Sequence, residues 1–189
     1  MRACLMALML GIVAGCATTD LCTSQQTETT VQAASDFTST TVDFGIVVSD
    51  VDKAADFYIN GLGFTEVAGF DVPASMGGDA GLSDDKPFHV RVMKLEDSNN
   101  ATAVKLVSFP DAPGVKPKND FIHTTLGVSY LTVFVSDITA AVQRARKAGA
   151  SPLANGPIPL PEGFPEGIYL AVVRDPDGNM IELVGPLKK

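Results

Sequence analysis

The sequence predicts an α+β fold built from two paired modules, each with the element order β-α-β-β-β. Two apolar segments, 42–51 and 129–138, both contain Val-Ser-Asp near their ends and lead into residues with helical spacing. A second pair of short apolar segments, 103–107 and 180–184, also matches between the two halves. The same order of elements in both halves is the pattern of an internal repeat.

In the first module, the helix begins after Val-Ser-Asp. Ser49 or Asp50 can cap it, because either side-chain oxygen can accept a hydrogen bond from a first-turn N–H. Apolar residues follow at helical spacing, namely Val51, Ala54, Ala55, Tyr58 and Leu62. The strands predicted after this helix are 64–70, 88–95 and 103–107.

In the second module, Asp137 is the predicted cap of a helix that ends before Gly149. The apolar residues at helical spacing are Ile138, Ala141, Val142 and Ala145. A weak strand near 152–154 and better ones at 168–174 and 180–184 should follow. Between the last two, the sequence Asp-Pro-Asp-Gly is typical of a tight turn.

The N-terminal segment predicts export rather than a transmembrane helix. Arg2 precedes an apolar run over 3–14, which is shorter than the ~20 residues needed to span a bilayer. The run ends in Val-Ala-Gly-Cys, which resembles a bacterial lipobox, so residues 1–15 are the predicted signal peptide and Cys16 the lipidation site. Because Asp does not follow Cys16, we expect an outer-membrane anchor facing the periplasm. An ordinary secretory signal is the alternative.

Residues 16–41 are rich in Thr, Ser and Gln and are predicted to form a flexible tether, leaving 42–189 as the folded domain. Once residues 1–15 are removed and Cys16 is lipidated, Cys22 has no partner for a disulfide. The chain has 14 Lys and Arg against 22 Asp and Glu, a formal net charge of −8. This balance argues against nucleic acid as a partner.

Two motifs resemble the vicinal oxygen chelate superfamily, which includes glyoxalase I, bleomycin resistance proteins and extradiol dioxygenases. They are FGIVVSDVDKAADFYINGLGF near the start and VVRDPDGNMIELVGP near the end of the folded part. The resemblance implies that module one (about 42–110) and module two (about 128–187) form a half-open β-barrel, a cup with the site inside. Fold alone does not fix function.

The resemblance also implies a divalent metal held from four inward positions, typically His, Glu, His and Glu. Here those positions fall on Asp43, Lys105, Tyr130 and Glu182, the first and third to within one residue. A Lys ammonium repels a cation, and a neutral Tyr is an uncommon ligand. Only Asp43 and Glu182 could hold a metal, of the hard kind such as Mg²⁺ or Ca²⁺. We therefore expect no metal, with Lys105 neutralising both carboxylates instead.

The predicted function is binding of a small organic molecule in the cup of a lipid-anchored protein. Asp43, Tyr130 and His89 are candidate ligand contacts, and for His89 a position on a solvated strand face is the alternative. Whether the protein is an enzyme stays open; if so, Glu182 would be the base and Lys105 would stabilise an oxyanion. The alternatives are a metal-dependent lyase or isomerase resembling glyoxalase I, and an envelope protein-interaction module.

An extradiol dioxygenase is disfavoured because the chain has two His residues and neither occupies an expected ligand position. Monomer and homodimer both stay open. Two loops are candidate lids, the Gly-rich 77–81 and the Pro-rich 156–165, in which Leu160 and Phe164 could cap an apolar cavity. For the Pro-rich loop, a surface segment that shields a sheet edge is the alternative.

Overall fold

The computed structural model describes residues 37–96, 98 and 100–188. These residues form an α+β fold of two four-stranded mixed sheets, in agreement with the predicted class. The predicted signal peptide, Cys16 and most of the predicted tether lie outside the described residues. In the described part of the chain, no helix is long and apolar enough to cross a membrane.

Module one contains the first sheet, with strand order β1-β4-β3-β2. β1 pairs with β4 in parallel, and the other neighbours are antiparallel. α1 continues directly as a π-helix over Phe57–Leu62. The elements are β1 (Phe44–Val47), α1 (Val51–Asp56), β2 (Thr65–Val72), α2 (Ala74–Asp79), β3 (Phe88–Lys94) and β4 (Ala103–Ser108).

Module two repeats this topology in the second sheet, with strand order β5-β8-β7-β6. β5 again pairs in parallel with the last strand of its module. The elements are β5 (Tyr130–Phe134), α3 (Ile138–Lys147), β6 (Ile158–Pro159), β7 (Ile168–Arg174) and β8 (Met180–Pro186). The duplicated β-α-β-β-β order predicted from the sequence is therefore confirmed.

Both main helices begin at the aspartate of the Val-Ser-Asp tripeptide. Asp50 accepts a hydrogen bond from the backbone N–H of Lys53, and Asp137 accepts from those of Thr139 and Ala140. These carboxylates satisfy N–H groups that have no partner within the helix. Of the two caps considered for the first helix, Asp50 is the one observed, because the Ser49 hydroxyl instead donates to Asp177.

One core joins the helices to one face of each sheet. Its largest fully buried members are Tyr58, Met93, Leu106, Ile138, Ile181 and Leu183. Side chains alternate between the two faces of a strand. Lys105 lies between Val104 and Leu106, and Glu182 between Ile181 and Leu183, so both project from the inner faces, opposite the helices.

Two local predictions are corrected. The weak strand expected near 152–154 is instead β6 at Ile158–Pro159, where both residues pair with β7 at the sheet edge. Proline lacks an N–H, which keeps this edge strand short. The Gly-rich segment expected as a mobile lid overlaps α2; a Cβ on Gly77 would lie 2.4 Å from the Ser83 Oγ, so this turn is closely packed.

Candidate functional site

The inner face of module two brings together residues from β5 and β8. Thr132 is directly opposite Glu182 in the parallel pairing of these strands. Tyr130 and Phe134 lie two residues to either side of Thr132, so all three β5 side chains share the inner face with Glu182. The strand pairing thus sets Glu182 between two aromatic side chains.

Glu182 is half-buried and only partly satisfied by the protein. The Thr132 hydroxyl donates to Oε2 at 2.8 Å. Among the described residues, no donor contacts Oε1 and no Lys, Arg or His forms an ion pair with Glu182. Since buried side-chain oxygens in this part of the chain all have partners, Oε1 is accessible from outside the protein.

A cavity of about 710 Å³ opens beside Glu182. Its polar side chains are those of Tyr130, Thr132 and Glu182, and the rest of the wall is mostly apolar. The apolar wall comes from Phe134, Val135, Leu160, Pro161, Phe164, Pro165, Ile168, Leu170, Val184 and Pro186. The Pro-rich loop supplies four of these residues, which confirms that Leu160 and Phe164 border an apolar cavity. An apolar cleft with a few polar groups is typical of a small-molecule site.

Asp43 and Lys105 form an ion pair on the inner face of module one. Lys105 Nζ lies 3.0 Å from Asp43 Oδ2, and the backbone N–H of Ala103 donates to Asp43 Oδ1 at 3.2 Å. The hydrogen bond from Lys105 is the main reason that the pKa of Asp43 lies below its ordinary value. The predicted partnership of Lys105 with Asp43 is therefore present.

The second expected ion pair, between Lys105 and Glu182, is absent from the described residues. The described residues show no ion pair between them, and the Glu182 cavity is lined by neither Lys105 nor Asp43. Lys105 is held by Asp43 in module one, and Glu182 accepts from Thr132 in module two. The four family positions are therefore split, with Asp43 bound to Lys105 and with Tyr130 and Glu182 lining one cavity.

Away from the Asp43–Lys105 pair, the inner face of module one is filled by apolar side chains. Its cluster consists of Val72, Phe88, Val90, Val92 and Ala103, with Val67, Val107 and Phe109 packed against it. The rings of Phe88 and Phe109 lie 4.8 Å apart. Phe109 follows β4 and covers this face with the chain's own side chain. The two modules therefore share a topology, but module two carries the large cavity beside Glu182.

His89 lies away from both pairs. It shares a face of β3 with Arg91, whose guanidinium donates to Asp52 of α1, so this is the helix side of the sheet. His89 Nδ1 lies 2.7 Å from Asp71 Oδ1 on the neighbouring strand. The placement of His89 as a ligand contact is corrected: the alternation of β3 directs it opposite to the inner face.

The donor set at the four family positions does not fit the metal that the resemblance implies. The Asp43 carboxylate is paired with the Lys105 ammonium at 3.0 Å. The positive charge of this ammonium would repel a divalent cation bound to Asp43. Glu182 and Tyr130 lie in the other module, where Thr132 donates to Glu182. No group of three or more His, Cys, Asp and Glu side chains in the described ranges is placed to hold a metal ion.

Thr132 and Phe134 are the site residues that the sequence analysis missed. They follow Tyr130 at positions i+2 and i+4 of a strand that had been predicted. The alternation of side chains would have placed them on the face of Tyr130. The same alternation therefore predicts both residues, although the metal positions that the resemblance implies include only one residue of each strand.

A second cavity of about 640 Å³ lies beside β7 and the segment that joins the modules. Arg174 lines it, but its guanidinium already donates to oxygens of the protein. These are the carbonyls of Asn119, Asp120 and Gly178 and the side-chain oxygen of Asn119. Arg174 thus anchors the joining segment, whereas Glu182 keeps an oxygen free for a ligand.

The family model described as the Glyoxalase/Bleomycin resistance protein/Dioxygenase superfamily matches residues 40–183. No curated protein matches the chain. Among solved structures, a glyoxalase family protein from Bacillus cereus is 21% identical, with a TM-score of 0.66 and coverage of 82% of this chain and 99% of that one. Its level of identity supports the fold alone.

Two further solved structures have a similar fold. TnmS3, an antibiotic binding protein from Streptomyces sp. CB03234, is 27% identical, with a TM-score of 0.50 and coverage of 78% and 96%. Glyoxalase I from Zea mays is 19% identical, with a TM-score of 0.58. That comparison covers 79% of this chain but 45% of the maize protein.

Proposed function

This chain belongs to the Glyoxalase/Bleomycin resistance protein/Dioxygenase superfamily, and we propose that it binds a small organic molecule in the cavity beside Glu182. The observation that carries this proposal is the cavity itself. It combines apolar walls with one carboxylate oxygen that no described residue contacts. Burial of an apolar ligand against these walls would supply most of the affinity, and the polar groups would orient it.

The likeness to TnmS3 supports a binding role, because that relative is described as an antibiotic binding protein. Its identity of 27% is higher than that of the maize glyoxalase, at 19%. The binding role also needs fewer residues than an enzyme would. Among the described residues, the Lys105 and Glu182 required for catalysis form no ion pair, and Lys105 does not line the Glu182 cavity.

The proposed binding does not use the family's divalent metal. The ammonium of Lys105 lies beside Asp43 and neutralises this carboxylate, which is the role that a bound metal would otherwise have. The metal-dependent alternative, a lyase or isomerase resembling glyoxalase I, requires a stoichiometric metal held through Glu182. Native mass spectrometry of the purified full chain distinguishes them: retention of a metal that Glu182→Ala removes would contradict the metal-free proposal.

We further propose that the protein acts at the bacterial envelope, attached through lipid on Cys16 to the outer membrane and facing the periplasm. The lipobox-like sequence supports this location. Metabolic labelling with an alkyne fatty acid tests it. Label should be incorporated by the natural chain and lost from Cys16→Ser, and equal labelling of both would contradict the proposal.

Binding is tested by calorimetric titration of the Cys16→Ser full chain with 2-naphthylmethanol, a neutral apolar probe. One saturable site is expected. In that background, Phe164→Ser should weaken binding by about twofold to twelvefold, because an aromatic contact contributes about 0.5–1.5 kcal/mol. Phe121→Ser is the matched control, since Phe121 is similarly exposed but does not line this cavity. Absence of binding, or equal weakening by both variants, would contradict the proposal.

A further inference from the structure

We infer that the ligand of the Glu182 cavity is an organic cation, an apolar body that carries an ammonium group. This inference rests on the proposed function and adds the chemical class of the ligand. Three features of the cavity lead to it: the isolated charge of Glu182, the free carboxylate oxygen, and the exposed aromatic side chains around it.

The charge of the cavity has one sign. Among the described residues that line it, Glu182 is the one carboxylate, and no Lys, Arg or His lines it. The cation expected to neutralise Glu182, Lys105, is instead paired with Asp43. An anionic ligand would therefore meet repulsion from Glu182, with no cationic side chain of the lining to offset it.

The Glu182 carboxylate can also accept a further hydrogen bond. Thr132 fixes Glu182 through Oε2, which leaves Oε1 free to accept from a ligand. A ligand that covers Glu182 also removes its water. Burying a carboxylate without a partner is costly, so a ligand that supplies an N⁺–H donor is favoured over a neutral one.

Three aromatic side chains line the same cavity as Glu182. Tyr130 and Phe134 flank Thr132 on the same strand face and are 44% and 79% exposed. Phe164 of the Pro-rich loop also lines the cavity and is 58% exposed. Exposed aromatic faces attract cations and stack on planar apolar groups. A carboxylate beside several such rings suits an ammonium attached to an apolar or aromatic body.

The test compares two probes that differ in one group, 2-naphthylmethylamine, which is protonated at pH 7, and the neutral 2-naphthylmethanol. Both are titrated by calorimetry into the Cys16→Ser full chain. We expect the amine to bind about tenfold more tightly, because a charge-assisted hydrogen bond is stronger than a neutral one. In that background, Glu182→Gln should remove this preference while binding of the alcohol persists, which also reports that the variant is folded.

Glu162→Gln is the matched control, because Glu162 is an exposed acid in the Pro-rich loop that does not line the cavity. It should leave the preference for the amine intact. Equal binding of both probes by the unsubstituted cavity, or loss of the preference in Glu162→Gln as well, would overturn the inference while leaving the proposed function standing. Failure of both probes to bind would overturn the proposed function and the inference together.

Discussion

Ser49 and Asp177 join the two modules through a pair of hydrogen bonds. The Ser49 hydroxyl donates to Asp177 Oδ1 at 2.5 Å, and its backbone N–H donates to Oδ2 at 3.0 Å. Ser49 precedes α1 in module one, and Asp177 lies in the turn between β7 and β8. The Val-Ser-Asp and Asp-Pro-Asp-Gly motifs therefore meet in space, and their pairing fixes the start of one helix against the other module.

Removing this junction should reduce stability. Asp177→Ala leaves the Ser49 N–H and hydroxyl without their acceptor, and we expect the free energy of unfolding to fall by about 1 kcal/mol. Urea denaturation followed by circular dichroism measures the change. Asp79→Ala is the control, since Asp79 is an exposed acid at the end of α2. Equal stability of the two variants would contradict a structural role for the Ser49–Asp177 contact.

The same turn contains a buried acid, Asp175, whose carboxylate accepts from the Tyr58 hydroxyl at 3.4 Å and from Asn179. Burial raises the pKa of Asp175 above its ordinary value of 3.8. A raised folded-state pKa means that the folded protein binds more protons, so stability falls as the pH rises from 3.8 through the folded pKa.

Carbon-13 spectra of the Asp175 carboxyl should give a titration midpoint above 3.8. The free energy of unfolding, compared with that of Asp175→Asn, should decline over the same pH range. A midpoint at or below 3.8, or a wild-type protein that gains stability relative to the variant across this range, would be inconsistent with the burial of this acid.

The Asp43–Lys105 pair predicts a pH dependence of the opposite sign. Because Lys105 lowers the pKa of Asp43, the pair stabilises the fold above pH 3.8, and this contribution is lost as the pH falls through the folded pKa. Lys105→Gln should raise the carboxyl titration midpoint of Asp43 towards 3.8. Lys53→Gln, on the exposed side of α1, is the control, and an unchanged midpoint in Lys105→Gln would refute the pairing.

Two strand glycines should respond differently to the addition of a methyl group. A Cβ on Gly185 would lie 2.1 Å from the Val135 carbonyl oxygen, whereas a Cβ on Gly45 would meet nothing within 4 Å. Gly185→Ala should cost roughly 1–3 kcal/mol of unfolding free energy, through overpacking. Gly45→Ala should be neutral or slightly stabilising. Thermal unfolding compares them, and similar melting temperatures would argue against the close approach at Gly185.

Most of the fold could be predicted because its signals are local. Helical spacing after each Val-Ser-Asp and the alternation of β7 and β8 depend on neighbouring residues, and these elements are found close to the expected positions. β6 was misplaced because a two-residue edge strand has too little sequence to show a period. The strands 88–95 and 168–174 were predicted to within one residue at either end.

The candidate site could be predicted only in part, because it depends on how the sheets are placed. Glu182 and Tyr130 were correctly assigned to one face, since a single pairing of β5 with β8 brings them together. For Lys105 to pair with both Asp43 and Glu182, each sheet would have to place its carboxylate beside the same ammonium. No local sequence pattern shows whether the sheets do so. Local patterns also do not predict that Phe109 packs on the inner face of module one, because Phe109 lies just beyond β4.

Methyl NMR of the Cys16→Ser full chain during titration with 2-naphthylmethylamine shows whether the ligand binds in module two. We expect saturable shifts confined to the aliphatic methyl groups that line the cavity, those of Val135, Leu160, Ile168, Leu170 and Val184. The methyl groups of Val90 and Val92, inside the filled face of module one, should not respond. Shifts centred on Val90 and Val92, or no shift at any cavity methyl, would contradict the account.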